Sequence, residues 1–256
     1  DDESEVLQNI NLHIDAGEHI AITGPSGGGK STLISLLPRF TDPTSGFISV
    51  GGNDTRNIRL QDIRAMFGVA FQDAFLFKAS ILDNLRYARP AATAQEIIDA
   101  CKITGAHDFI KRLPDEYHTG IGGRGGELSH GEKQRINLAR AIVRKPQTLI
   151  IDETTASIDA TAAKKIITAI LEHMAGRTVI IVTHDPTILQ LMQRVITLDE
   201  KTITSDHYAD GSHMKHPTTN TSNPSRFGPT AGAMLLAVSM FTGCTSTPTT
   251  SIIEMT

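Results

Sequence analysis

One segment of the chain has the residue types and the spacing that bind nucleotide phosphates. It fits the pattern G-x-x-x-x-G-K-[ST] at every position, with the residues Gly24, Pro25, Ser26, Gly27, Gly28, Gly29, Lys30 and Ser31. Glycines let backbone N–H groups approach a phosphate without a Cβ in the way, Lys30 can reach the β- and γ-phosphates, and Ser31 can bind Mg²⁺. A glycine-rich turn that binds nothing is the alternative, but a helix is predicted directly after Lys30, over 31–37, and a helix start favours an anion. We therefore expect the site to span residues 24–32 and to include Thr32.

An acidic pair follows one of the apolar runs of the sequence. Asp152 and Glu153 come directly after the run 148–151, which is too short for a helix and is predicted as a buried strand. In an open α/β sheet, ligands bind at the carboxyl ends of the strands. An isolated pair of this kind would equally be two ordinary loop acids. Beside a phosphate-binding segment, we interpret Asp152 as the carboxylate that holds Mg²⁺ and Glu153 as the general base for an attacking water.

Short strands and longer helices must hold these residues in place. The apolar runs 20–22, 148–151 and 178–182 are bounded by glycine, proline or charge, and they predict parallel strands that are buried on both faces. Helical patterns lie between them, including those over 94–103 and 132–143. The sequence therefore predicts an α/β fold with a mostly parallel sheet.

Composition excludes several classes of protein. The 256 residues include 24 Lys+Arg and 28 Asp+Glu, a formal net charge of −4, so we predict no nucleic-acid partner. The two cysteines, Cys101 and Cys244, have neither disulfide-framework nor metal-ligand spacing, which fits a reducing cytosolic setting. No stretch approaches the ~18 apolar residues of a membrane span, and the acidic N-terminus does not resemble a signal peptide.

The motifs stand in the order found in the ATP-binding domains of ABC transporters, which the sequence resembles over residues 4–205. The further motifs that carry the resemblance are Phe71-Gln72-Asp73 (the Q-loop), Leu128-Ser129-His130-Gly131-Glu132 (the signature segment), Ala156-Ser157-Ile158-Asp159 (the D-loop) and Thr183-His184-Asp185. The resemblance implies a P-loop NTPase (RecA-like) core with a mostly parallel sheet, an antiparallel β edge and an inserted α-helical subdomain. It implies an ATPase domain over 1–208, with its core at 1–75 and 145–208 and its helical subdomain at 76–144.

The resemblance also implies ATP and Mg²⁺ as cofactors and assigns catalytic roles. Gln72 would sense Mg²⁺ and the attacking water, and His184 and Lys30 would act with Glu153. A histidine such as His184 is more often structural when it stands alone, but its position just after the strand 178–182 places it at the ligand edge of the sheet. The metal ligands implied are Ser31, Gln72 and Asp152.

A second ABC domain is the partner that the resemblance implies. In the family, the helix after the signature segment points its N-terminus at the γ-phosphate of the ATP held by the other subunit, in a head-to-tail dimer around two Mg-ATP. Ser129, Gly131 and Asp159 would then bind nucleotide across the dimer. Ser129 and Gly131 stand before the helix predicted over 132–143, where free N–H groups favour an anion. Ser129 is also a plain helix cap by type, and both interpretations can hold together.

Other segments resemble the exporter branch of the family. They are Asp83 to Tyr87, Gly105 to Ile110 and Leu113-Pro114. Phe75, Leu76 and Phe77 follow the Q-loop, where the family docks on its transmembrane domain, although core packing would also explain these three residues. The function implied is an ATP-hydrolysing exporter motor at the cytoplasmic face of a membrane. The alternatives are an ATP-gated dimerisation switch with little hydrolysis and a soluble, non-transport ABC ATPase.

The chain departs from the family pattern at several positions. His130 and Glu132 stand where the signature segment usually has Gly and Gln, and Gly123 stands where exporters commonly have Glu. We expect the dimer site to survive, with altered affinity or pH dependence. No aromatic residue precedes Phe40 to stack on adenine, which predicts weaker nucleotide binding without loss of chemistry.

The last segment, residues 209–256, has a different composition. Residues 215–250 are rich in Thr, Ser, Pro, Asn and Gly, which predicts a linker or disorder. Gly211-Ser212-His213-Met214 is typical of what remains after removal of a purification tag. Ser251 to Thr256 resembles the short strand that opens the family's domain, so the segment is either a displaced N-terminal piece or a fused passenger, since Met214 to Cys244 faintly resembles a lipoprotein signal.

Overall fold

The apolar runs of the sequence form the inner strands of a six-stranded sheet. The computed structural model describes residues 6–122, 128–154, 158–209 and 236–239. Within these, the sheet has the order β5-β6-β7-β2-β8-β9 and is parallel except for the last pair, β8 and β9. Its strands are β2 (His19–Thr23), β5 (Phe67–Ala70), β6 (Thr148–Asp152), β7 (Thr178–Val182), β8 (Arg194–Asp199) and β9 (Thr202–Tyr208).

The inner strands β6 and β7 are buried at every position. Alternate residues of a strand point to opposite faces of the sheet. Leu149 and Ile151 accordingly belong to one apolar cluster, and Ile150 belongs to the other. Two apolar layers therefore cover the two faces of the sheet, which is why these strands read as continuous apolar runs.

The helices flank the six-stranded sheet and the loops that leave it. They are α1 (Lys30–Leu36), α2 (Leu60–Met66), α3 (Ile81–Ala88), α4 (Ala94–Ile103), α5 (His107–Ile110), α6 (His130–Val143), α7 (Ala160–His173) and α8 (Pro186–Leu189). Helices α3, α4 and α5 lie between β5 and β6 in the chain, and α3 and α4 pack against α6. None of the helices in the described ranges is long and apolar enough to cross a membrane.

Helix α6 packs closely on the edge of the sheet. A Cβ on Gly68 of β5 would come within 2.7 Å of the backbone oxygen of Ala141, so only glycine permits this approach. The helix begins at His130, two residues before the predicted start at 132, because Ser129 caps it. Gly131 therefore lies in the first turn of α6, and the expectation that it stands before the helix is wrong.

A second, antiparallel sheet has the order β1-β10-β3-β4. Its strands are β1 (Asn11–Ile14), β3 (Phe47–Val50), β4 (Asn53–Asp54) and β10 (Leu236–Ser239). Strand β10 is the only strand partner of β1 within the described part of the chain, and it also pairs with β3. The inner residues of β1 and β3, such as Leu12 and Ile48, belong to the apolar cluster that also contains Leu33 of α1.

Strand β10 lies within residues 215–250, whose composition predicts a linker or disorder. The composition of that stretch is an average, and it hides a four-residue run whose backbone pairs with two strand edges at once. Unpaired N–H and C=O groups on a strand edge favour such pairing. The proposed tag remnant at 211–214 and the strand-like segment at 251–256 lie outside the described residues.

Candidate active site

The predicted phosphate-binding segment forms the loop between β2 and α1. Gly24 has φ +136°, and a Cβ there would lie 1.9 Å from the backbone oxygen of Leu198. Gly29 has φ +90° and directly precedes α1. Both positions require a backbone that residues with a side chain rarely adopt. No side chain of the described residues caps α1, and its first turn contains no acidic residue, so the helix start presents backbone N–H groups and partial positive charge to an anion.

Lys30 places a positive charge inside this loop. Its Nζ donates hydrogen bonds to the backbone oxygens of Gly24, at 2.9 Å, and Pro25, at 2.8 Å. The residue is only 6% exposed, although its ammonium group carries a charge that burial without partners would make costly. The two carbonyls satisfy two of its three donors, and a phosphate oxygen is the stronger acceptor that could replace them.

Asp152 and Ser31 meet beside the loop. Asp152 ends β6, is buried, and is hydrogen-bonded to the side chain of Ser31. Burial raises the pKa of Asp152 above its usual value, and the charge of Glu153 adds to this, whereas Ser31 and Lys30 oppose it. A carboxylate and a hydroxyl are the hard oxygen ligands that Mg²⁺ prefers, together with phosphate oxygens. The described residues contain no cluster of three or more His, Cys, Asp or Glu that could hold a metal alone, so these two oxygen ligands fit a metal that arrives with a nucleotide.

Glu153 lies between two of the other predicted catalytic residues. Gln72 Nε2 donates to Glu153 Oε2 at 3.3 Å, and His184 Nε2 lies 3.2 Å from Glu153 Oε1. The backbone of Glu153 has φ +46°, and its N–H donates to the oxygen of Val182 in β7. A non-glycine residue at positive φ is strained by about 1–3 kcal/mol. The turn therefore fixes the carboxylate at the sheet edge, where its side chain remains 19% exposed and within reach of water.

The remaining predicted nucleotide ligands belong to two other helix starts. Ser129 caps α6, and Asp159 caps α7 by accepting a hydrogen bond from the N–H of Ala162 at 2.9 Å. Ser129 and Asp159 are both exposed. The structure brings Lys30, Ser31, Asp152 and the Gln72–Glu153–His184 cluster together at one edge, whereas Ser129, Gly131 and Asp159 are described only within their own helices. Ala156 and Ser157 of the D-loop lie outside the described residues.

An apolar groove of about 340 Å³ opens near Gln72. The rings of Phe75 and Phe77 pack edge to face with their centroids 5.3 Å apart, and the ring centroids of Phe77 and Tyr87 are 4.6 Å apart. Phe75 is 67% exposed and Tyr87 is 70% exposed. Leu76, by contrast, packs against the core. The aromatic residues that line the groove are Phe40, Phe67, Phe71, Phe75, Phe77 and Tyr87.

The sequence prediction of the groove was partial. Phe75, Leu76 and Phe77 were predicted as a contact surface; the exposure of Phe75 excludes plain core packing for that residue, whereas Phe77 is half-buried. Phe40 and Phe71, whose ring centroids lie 5.8 Å apart, were missed. Phe71 adjoins Gln72 and could have been noticed for that reason. Phe40 carries no local signal, because only the fold brings it to the groove.

Comparison with known proteins identifies the family. The family model described as ABC transporter matches residues 7–156, which include the phosphate loop, Gln72, the signature segment and the acidic pair. This chain belongs to the ABC transporter family. The expected α/β fold, with a mostly parallel sheet and antiparallel strands, is confirmed.

Relatives of this ABC domain are exporters. The chain is 41% identical over 197 residues to an ATP-dependent lipid A-core flippase of Syntrophus aciditrophicus, covering 77% of this chain and 33% of the relative. It is 38% identical over 220 residues to the putative multidrug export ATP-binding/permease protein YgaD of Bacillus subtilis, covering 84% of this chain and 38% of the relative. A bacterial Atm1-family ABC exporter solved with ATP bound is 36% identical, with a TM-score of 0.77, over 83% of this chain and 37% of that one. The ABC domain thus spans about a third of the length of these relatives.

Two of the departures from the family pattern, His130 and Glu132, lie at the start of α6. His130 Nε2 is 3.1 Å from Gln134 Nε2. The carboxylate of Glu132 accepts hydrogen bonds from the N–H and the hydroxyl of Ser129. Gly123 lies outside the described residues. The ABC domain therefore has a regular phosphate loop and an altered signature segment.

Proposed function

We propose that this ABC domain is the ATP-hydrolysing motor of an exporter, and that it dimerises head to tail around two Mg-ATP. The observation that carries the proposal is the position of Glu153, between Gln72 and His184 and next to Asp152. A carboxylate held in this way can accept a proton from water, which is what hydrolysis requires of a general base. The names of the relatives add the export class.

The binding step uses the loop between β2 and α1. The N–H groups of the loop and Lys30 would hold the β- and γ-phosphates, with Lys30 exchanging its bonds to Gly24 and Pro25 for bonds to phosphate oxygens. Asp152 and Ser31 would hold Mg²⁺, which supplies neutralisation of the phosphate charge.

The chemical step uses the Gln72–Glu153–His184 cluster. Gln72 would orient a water molecule and Glu153 would take its proton while its oxygen bonds to the γ-phosphorus. The bond from the γ-phosphorus to the bridging oxygen breaks, and ADP and inorganic phosphate result. Lys30 and His184 would stabilise the charge that develops on the γ-phosphoryl oxygens. His184 is 59% exposed, so it can turn from Glu153 towards a bound nucleotide.

A second ABC domain would complete each site. Ser129, Gly131 and Asp159 lie at exposed or half-exposed helix starts, where N–H groups and the helix dipole favour an anion. In the proposed dimer, they bind the ATP that the other copy holds at its own Lys30. The formal charge of −4 gives no support to a nucleic-acid partner.

The aromatic groove is the proposed docking surface for a transmembrane domain. Phe75 and Tyr87 expose apolar rings that a short apolar segment could cover. Arg64, Arg140 and Arg144 also line the groove, so a segment with an acidic or carbonyl-rich end would fit. The groove is lined by Phe71, next to Gln72, so a docked segment would lie beside the proposed hydrolysis site. On this proposal the domain works at the cytoplasmic face of a membrane.

One observation favours an alternative function, the ATP-gated switch with little hydrolysis. The hydroxyl of Ser129 donates its hydrogen bond to Glu132. Ser129 would therefore bind a phosphate less readily than a serine whose hydroxyl has no internal acceptor. Nothing in the described residues specifically favours a non-transport ABC ATPase.

Single-turnover hydrolysis separates the motor from the switch. We expect Glu153→Gln to lower the rate constant about a hundredfold or more, because it removes the general base, while ATP binding persists. Glu172→Gln is the matched control, since Glu172 is an exposed carboxylate at the opposite end of α7 from Asp159. A wild-type rate no higher than that of Glu153→Gln would exclude the motor and support the switch.

A further inference from the structure

The first turn of α6 is closed by its own carboxylate. Glu132 Oε2 accepts hydrogen bonds from the N–H of Ser129 and from the hydroxyl of Ser129, both at 2.9 Å, and the N–H of Glu132 donates to the Ser129 oxygen at 3.3 Å. This is a capping box in which the serine hydroxyl also donates to the carboxylate. The one hydrogen of that hydroxyl is therefore already engaged.

An anion that arrives at this helix start meets a negative charge. The hydroxyl of Ser129 can donate to only one acceptor at a time. A phosphate that takes this hydrogen must displace the Glu132 carboxylate or accept it as a close neighbour, and like charges a few ångströms apart repel even near a protein surface. Negative charge at a helix N-terminus is stabilised by the helix dipole. Glu132 and an incoming phosphate therefore compete for the positive end of the α6 dipole.

The histidine two residues before Glu132 is held by another side chain. His130, the first residue of α6, has its Nε2 3.1 Å from the amide nitrogen of Gln134, one turn further along the helix. Gln134 is only 1% exposed, and its Oε1 has no hydrogen-bond partner among the described residues. A buried acceptor without a partner is costly. The polar edge of His130 is thus engaged by Gln134 and not by the carboxylate.

We propose that the Glu132 carboxylate competes with the γ-phosphate of the partner's ATP for the hydroxyl of Ser129. The proposal rests on the head-to-tail dimer proposed above. Before closure, Glu132 holds the Ser129 hydroxyl. Closure transfers that hydroxyl to the γ-phosphate and leaves Glu132 on the Ser129 N–H alone. Glu132 thus sets how much ATP is needed to close the dimer, without contacting the nucleotide bound by its own chain.

The test compares ATP-driven dimerisation in a background that cannot hydrolyse. Glu153→Gln and the double variant Glu153→Gln/Glu132→Gln are titrated with Mg-ATP, and the dimer is measured by analytical ultracentrifugation. We expect the ATP concentration for half-maximal dimer to fall about three- to tenfold in the double variant, because the charge is gone while the amide can still cap the helix. The difference should shrink at high salt. Binding of a fluorescent ATP analogue to dilute monomer should be unchanged.

Two further variants exclude a simple capping effect. Glu96→Gln changes the equivalent residue of the capping box at the start of α4, where Glu96 closes onto Thr93, and it should leave dimerisation unchanged. Glu132→Asp keeps the charge and shortens the side chain, so it should stay close to the parent. Thermal unfolding confirms that each variant is folded, and Glu132→Ala, which also removes the charge and should show the same decrease, replaces Glu132→Gln if the latter is not folded.

The outcomes separate the two proposals. An unchanged half-maximal ATP concentration in the double variant, or an equal decrease in Glu132→Asp, contradicts the role of Glu132 and leaves the dimer intact. Absence of a dimer at saturating Mg-ATP in every variant contradicts the head-to-tail dimer itself, and the role of Glu132 with it.

Discussion

The starts of α1 and α6 use the same physics with opposite local charge. Both present backbone N–H groups and the positive end of a helix dipole. The start of α1 has no acidic residue in its first turn and carries Lys30, whose Nζ rests on two backbone oxygens. The start of α6 carries Glu132, which already caps Ser129. We expect the first to bind a phosphate without displacing an anion, whereas the second must give up an internal carboxylate. In the proposed dimer, this makes ATP binding a property of one chain and closure a property of two.

The largest expected effect is on the backbone of the phosphate loop. Gly24→Ala should lower the free energy of unfolding by about 4 kcal/mol, because its Cβ would overlap a backbone oxygen and its φ is one that alanine avoids. The overlap is with Leu198, at 1.9 Å. Gly27→Ala is the matched control, since it also has positive φ but no atom within 4 Å of the added Cβ, and it should cost about 1 kcal/mol. Chemical denaturation measures both, and equal losses would show that the close approach at Gly24 does not matter.

The next effect is on nucleotide binding at α1. Lys30→Met should weaken ATP binding by the isolated chain about a hundredfold, because it removes a charge-assisted donor from a buried site. Lys164→Met, an exposed change on α7, is the control and should leave binding unchanged. Isothermal titration calorimetry at low protein concentration measures both. Equal affinity in the two variants would remove Lys30 from the phosphate site.

The smallest effect separates the two helix starts. Ser129→Ala should lower the free energy of unfolding by about 1 kcal/mol through the lost cap, and it should leave ATP binding by the monomer unchanged. Thr93→Ala removes the corresponding cap of α4 and should cost a similar amount. Denaturation and calorimetry on the same samples make the comparison. Weaker ATP binding in Ser129→Ala alone would mean that α6 takes part in the site of its own chain.

Local sequence determined what could be predicted. The strand Thr178–Val182 and the helix Ala94–Ile103 occur at their predicted bounds, because a continuous apolar run and an apolar stripe are each complete within a few residues. The phosphate loop follows from the glycines and lysine that form it. Glu153 and His184 could be assigned to one edge, because each follows a predicted strand whose end points there, whereas Gln72 was assigned by the family resemblance alone.

Features that depend on distant parts of the chain could not be predicted. Strand β10 pairs with β1 across more than two hundred positions of sequence, and its own four residues carry no pattern that specifies this. The groove joins Phe40 to Phe71 and Tyr87, which only packing brings together. The closed start of α6 is an intermediate case. The spacing of Ser129 and Glu132 is that of a capping box, but only the structure shows that the hydroxyl hydrogen is directed at the carboxylate.

The central claim is that one ATP is bound by α1 of one copy and α6 of the other. Mixing two inactive variants tests it most directly, with steady-state ATP hydrolysis as the measurement. A dimer of a Lys30→Met copy and a Ser129→Ala copy would contain one site with both defects and one site with neither. We predict that the mixture hydrolyses ATP well above the mean of the two variants alone. A rate equal to that mean would contradict the shared site.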